Sequence, residues 1–119
     1  MSKFNIDKLT EISGFIGAAL VDSESGMALA STSNSRVNMD LASAGNTEVV
    51  RAKRRVASQL GLSDSIEDIL ITLTHQYHIL RPLESNALLF LYIMLDREKS
   101  NLAMARHELR SYEKTLNFS

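Results

Sequence analysis

The chain has no cysteine and no tryptophan, and a single proline among its 119 residues. Without cysteine there is no disulfide, no thiolate nucleophile and no cysteine-ligated zinc site. That composition suits a reducing compartment, and a cytoplasmic protein is expected. Neither sign of charge dominates: 13 basic and 14 acidic residues leave a formal charge of −1. Such a balance gives no global field to gather nucleic acid or an anionic membrane, so neither is expected as a partner. The longest apolar run, "ALLFLYIML" at 87–95, is less than half of the roughly twenty residues a membrane helix needs. The opening "MSKFNIDKLTEISG" lacks the unbroken apolar core of a signal peptide, so no leader and no membrane insertion are expected. There is no internal repeat, no low-complexity tract and no long linker. What remains is ordinary: 45% apolar and 23% charged residues, enough for one domain, 1–119, with a real core.

Periodicity gives the elements. Phe4, Ile6, Leu9 and Ile12 fall near a helical stripe, and Gly14 is placed to end it, which predicts a short helix at 3–13. In "FIGAALVDSESGMALAST" two apolar halves flank Asp22-Ser23-Glu24-Ser25-Gly26, a set of turn formers. A hairpin with strands at 15–21 and 27–32 follows. Asp40 is a candidate cap for a helix at 41–60 that ends before Gly61. Its apolar positions Ala42, Val49, Val56 and Leu60, with Ala52 and Ala57, are mostly small, so it is expected to lean on a sheet or on a copy of itself. Gly45 costs such a helix about 1 kcal/mol relative to alanine. Alternation predicts strands at 67–74 and 77–83, the second carrying Tyr77, Ile79 and Arg81 on one face and His78 and Leu80 on the other. Pro82 suits a strand end, and the run at 87–95, apolar on both faces, reads as a central strand. Leu102, Ala105, Leu109, Tyr112 and Leu116 recur at helical spacing, predicting a helix at 97–116 capped by Asp96 or Ser100. The fold class is therefore α/β in composition, α+β in arrangement, with element order α-β-β-α-β-β-β-α.

His75 and His78 are the first candidates for chemistry. Three residues apart they would share a face on a helix, but on a strand they point to opposite sides. The flanking alternation is strand-like, and no cysteine or further histidine stands nearby to complete a zinc site. They read as the corner and first residues of a hairpin. No G-x-S-x-G elbow is present, and the paired carboxylates Asp22 and Glu24 sit on a turn without burial to shift a pKa. "SESG" and "SAGN" do not match a phosphate-binding loop. Neither metal, cofactor nor enzymatic activity is expected. The run Arg51-Ala52-Lys53-Arg54-Arg55 places Arg51, Arg54 and Arg55 on one helical face, with Glu48 three residues before Arg51. It suits either a solvated face or a protein contact, and lacks the aromatics of a nucleic-acid site.

Three stretches, "LTEISGFIGAALVDSESGMALAS", "EVVRAKRRVASQLGL" and "IEDILITLTHQYHILRPLESNALLFLYIMLDREKSNLAMARHELR", together resemble the Roadblock family. This family includes dynein light chains and bacterial regulators of Ras-like GTPases. The resemblance runs from about Leu9 to Leu116 and lies in the order of its elements, since none is a catalytic signature. It implies a five-stranded antiparallel sheet with the middle helix on one face and the terminal helices on the other. It also implies a homodimer in which the strand at 67–74 pairs with its twin and the middle helices lie side by side. Val49, Ala52, Val56, Ile69, Ile71 and Leu73 would form that interface. The implied partner is a small Ras-like GTPase, contacted by Glu48, Arg51, Arg54 and Arg55, with the chain a non-enzymatic scaffold or regulator. The alternative is a small-molecule sensor domain, with the alanine-rich hairpin and the strand at 87–95 lining a pocket.

Overall fold

The apolar run foreseen as a central strand lies in the middle of the sheet. In the computed structural model, which describes residues 5–116, it forms Leu89–Asp96 (β5). On one side β5 pairs with Phe15–Asp22 (β1), and on the other with Gln76–Pro82 (β4). Beyond β1 lies Ala28–Ser33 (β2), and beyond β4 lies Ile69–Thr72 (β3). All pairings are antiparallel, in the order β2-β1-β5-β4-β3. Seven of the eight β5 residues are buried because both faces of the sheet are covered.

On one face Ala18, Leu20, Ile79, Leu91, Ile93 and Leu95 pack against Ile6, Leu9 and Ile12 and against Ala105, Leu109 and Tyr112 of the last helix, Leu102–Glu113 (α2). On the other face Ala19, Val21, Leu80, Phe90, Tyr92 and Met94 meet Met39 and Val50 of the middle helix, Met39–Gln59 (α1). The arrangement implied by the resemblance, one central helix against two terminal segments across a five-stranded sheet, is the one observed.

Several boundaries differ from expectation, each for a local reason. Around the predicted first helix the chain makes only a short 3-10 helix, Asp7–Glu11, closed by the bonds Leu9 N–H to Ile6 O and Ile12 N–H to Leu9 O. Phe4 lies outside the described residues. Gly14 follows at φ +83°, and a Cβ there would stand 2.9 Å from Ser100 Cβ, so both backbone and packing require glycine. Gly26 closes the β1–β2 turn at φ +80°, as that turn's composition foretold. Asn38 rather than Asp40 caps α1, its side chain accepting from Leu41 N–H, so the helix starts two residues early. At 96–99 a separate turn forms, with Asp96 accepting from Glu98 N–H. Asn101 then caps the shorter α2. Pro82 ends β4 opposite Phe90, past the last β3 pair, Ile69–Leu80. Because Leu83 N–H points to β5, position 82 faces the side that β3 has already left, and no ladder bond is missing.

Candidate functional site

Helix α1 turns a partly polar side to the sheet. Met39, Ser43, Thr47 and Val50 are its buried residues. Two of these are polar, and the Thr47 hydroxyl is satisfied by the Ser43 carbonyl at 2.8 Å. Of the apolar positions read from the sequence, Ala42 packs against this core, whereas Val49, Val56 and Leu60 face outward. Leu41 is 69% exposed, Val49 36%, Val56 39% and Leu60 67%. At about 100° per residue, Leu41, Gly45, Val49, Ala52, Val56 and Leu60 lie within a sector of roughly 100°. Among the described residues, nothing beyond its chain neighbours and the helix's own backbone lies within 4 Å of a Cβ built on Gly45. The chain's own packing therefore does not account for that glycine.

Strand β3 is one of the two edges of the sheet. Ile69 and Ile71 pack against the α1-side core and are half-buried, while Leu73, of the same parity, is exposed. Leu73 N–H bonds to Gln76 O, toward β4. By alternation Leu70 and Thr72 turn their backbone N–H and C=O groups to the free edge. No charge, proline or bulge interrupts 69–73. The opposite edge, β2, is irregular, with a register shift at Leu20/Val21. Proteins commonly blunt an unpaired edge, and β3 is not blunted.

The three arginines do not form one exposed face. Arg51 and Arg55 are exposed, on the flank of α1 away from the apolar stripe, with Glu48 exposed between them and the stripe. Arg54 is half-buried and donates to Ala87 O at 2.7 Å, with Ser23 Oγ at 3.5 Å. It ties α1 to the turns at one end of the sheet, beside a cleft of about 540 Å³.

His75 is an exposed loop residue and His78 lies in β4, as the hairpin reading expected. Sequence reasoning did not foresee the partners of His78. Its Nε2 is 2.9 Å from Gln76 Oε1 and its Nδ1 is 3.2 Å from the Tyr92 hydroxyl. Burial lowers the His78 pKa, so the neutral ring donates from Nε2 to Gln76 and accepts at Nδ1 from Tyr92. Burial also pushes the Tyr92 phenol up to about 12, against a smaller opposing pull from the Asn46 side chain. The group sits on the α1 side of the sheet, between the helix and the β3 edge. Among the described residues, no three or more of His, Cys, Asp and Glu cluster to hold a metal ion, and no helix is long and apolar enough to cross a membrane.

Two ion pairs on the other face also escaped the sequence. Arg81 Nε meets Glu113 Oε1 at 2.7 Å, and Arg106 forks onto both oxygens of Asp68 at 3.0 and 3.1 Å. A signal for the first existed: Arg81 shares its strand face with Ile79, and Glu113 lies one turn from the buried Leu109. A cation and an acid on two core-facing stripes want each other.

A five-stranded antiparallel sheet, with one helix across one face and the terminal segments across the other, is the architecture of the Roadblock/LC7 domain, and the chain has that fold. Myxococcus xanthus MglB superposes with a TM-score of 0.78 at 15% identity, over 90% of this chain and 84% of that one. A Roadblock/LC7 domain from Streptomyces avermitilis gives 0.79 at 14% identity, over 92% and 88%. The gliding protein MglB of Thermus thermophilus gives 0.77 at 15% identity, over 93% and 82%. The likeness is one of fold: no family model matches the sequence, and no curated protein does.

Proposed function

We propose that the protein is a homodimeric, non-enzymatic Roadblock-type regulator or scaffold that binds a small Ras-like GTPase. The observation that carries this reading is an uncovered apolar stripe on α1 together with an unblunted sheet edge at β3, in a chain with the Roadblock fold. Two β3 strands pairing antiparallel would satisfy the free backbone groups of Leu70 and Thr72 and continue the sheet into a second copy. The two α1 helices would then pack through Val49, Ala52 and Val56 over Ile69, Ile71 and Leu73. Small residues there favour close approach. A solved MglB has a tetrameric arrangement, so self-association has a precedent among proteins of this fold.

The stripe leaves Arg51, Arg55 and Glu48 uncovered on the other flank of α1, and this is the surface we assign to the GTPase. Arg54 serves it by fixing the helix to Ala87 and Ser23. A sensor role loses its foreseen pocket. Ala18, Ala19 and residues 89–95 are buried in packed side chains; of the strand read at 87–95 only Ala87 reaches the 540 Å³ cleft, whose other lining residues lie outside both that strand and the hairpin.

Light scattering at micromolar concentration tests the dimer: a monomer there overturns it. A crosslinked pulldown from host lysate tests the partner. Wild type is expected to recover a Ras-like GTPase that an Arg51→Glu/Arg55→Glu variant loses. Recovery of no GTPase by wild type would overturn that part of the reading.

A further inference from the structure

On the α2 face, away from the proposed dimer and GTPase surfaces, one buried cation is only partly engaged. Arg81 is 4% exposed. Its Nε donates to Glu113 Oε1 at 2.7 Å, and the second Glu113 oxygen accepts the backbone N–H of Glu84 at 2.7 Å. An arginine–carboxylate pair often forks through two parallel bonds. Here the carboxylate holds only Nε and the loop, and the two terminal guanidinium nitrogens make no hydrogen bond among the described residues. They are not sealed away either. Among the described residues, the side-chain atoms both buried from solvent and unpartnered are Ser43 Oγ and Ser100 Oγ.

Arg81 and Glu113 form the floor of a pocket of about 400 Å³, with the exposed Glu84, Ser85, Arg110 and Lys114 around its mouth. Three cations face two carboxylates, and one carboxylate is already occupied. Arg110 and Lys114 also complement the negative end of the α2 dipole. That role explains both of them but not the unused fork beneath.

We propose that this pocket binds an oxyanion, a carboxylate or phosphate group, gripped by the terminal nitrogens of Arg81 and steered by Arg110 and Lys114. A planar fork of fixed donors matches such a group, and its desolvated position strengthens each bond.

The test is an NMR titration of the arginine side-chain N–H resonances with inorganic phosphate and, separately, sodium acetate, at ionic strength held constant with sodium chloride. A saturable shift at Arg81 is expected with at least one probe, and which one saturates identifies the anion class. Arg81→Lys keeps a charge for Glu113 but removes the fork, and is expected to weaken binding roughly tenfold or more. Should that variant fail to fold, Arg110→Ala/Lys114→Ala alters only exposed side chains and is expected to weaken saturation several-fold. Shifts that never saturate with either probe overturn the proposal. So does undiminished binding by the Arg110→Ala/Lys114→Ala variant.

Discussion

Gly45 is the residue whose presence the protomer does not explain. It is exposed in mid-helix, is surrounded by open space, and costs α1 about 1 kcal/mol relative to alanine. A second helix packed against the stripe would explain it. Gly45→Leu is therefore expected to raise the stability of the isolated protomer by about 0.5–1 kcal/mol while weakening self-association at least tenfold, measured by analytical ultracentrifugation. An unchanged dissociation constant would mean that the helices do not meet at this position. His78 gives a second residue-level prediction. Its folded pKa lies below the unfolded value of 6.5 because burial disfavours the charged ring. The unfolded chain thus binds the proton more readily as pH falls. Stability is complete above about 6.5 and declines below it, until the folded pKa is passed. At fixed protein concentration, the urea midpoint should drop between pH 7.5 and 5 by less in His78→Asn than in wild type. Tyr92 acts at the other extreme. With a folded pKa of about 12 against an unfolded 10.0, its contribution is full below pH 10 and is lost from there toward 12.

At the scale of elements, β3 and α1 make the dimer testable without disturbing the fold. The N–H of Thr72 points away from β4, so Thr72→Pro removes a donor the protomer does not use. It is expected to yield a monomer by light scattering with the circular dichroism of wild type. Val49→Asp/Val56→Asp should do the same from the helix side, since charges facing one another across an apolar seam are costly. If both variants remain dimeric, the interface lies elsewhere. The same two elements show what the sequence could reveal. Every strand and its order was legible because alternation and the run at 87–95 depend on local pattern alone. The stripe of Val49, Ala52 and Val56 was legible as well, but its direction followed only from the resemblance and not from the pattern. Periodicity locates an apolar side of a helix without saying whether the sheet or another molecule covers it, and here the sheet took the side bearing Ser43 and Thr47. Arg54 was misplaced with its neighbours for a similar reason. A helical wheel puts it near Arg51 and Arg55, whereas Ala87 and Ser23, far along the chain, draw it inward. The caps moved because asparagine at 38 and 101 competes with Asp40, Asp96 and Ser100 on equal chemical terms, and only the path of the backbone decides between them.

For the molecule as a whole, the question is what holds α2 to the sheet, since this short helix and the N-terminal segment together close one face of the core. Leu109, Tyr112 and Ala105 supply the apolar contact. The Tyr112 hydroxyl donates to the Asn5 carbonyl, joining the helix to the N-terminal segment. The two ion pairs differ in kind. Arg106 is 37% exposed, so its fork on Asp68 is screened and is worth no more than about 1 kcal/mol. The side chains of Arg81 and Glu113 are 5% and 8% exposed. Loss of one partner there leaves a charge stranded in the interior, at a cost of about 3–5 kcal/mol. Glu113→Gln also weakens the bond that holds the Glu84 backbone, so the β4–β5 turn is loosened with the helix. Urea unfolding should therefore show a midpoint far below wild type for Glu113→Gln and a nearly unchanged one for Arg106→Ala. Added sodium chloride should narrow whatever difference Arg106→Ala shows, because it screens the exposed pair, and leave the Glu113→Gln deficit largely in place. Equal effects from the two variants would show that burial does not separate these pairs, and that α2 is held by its apolar face alone.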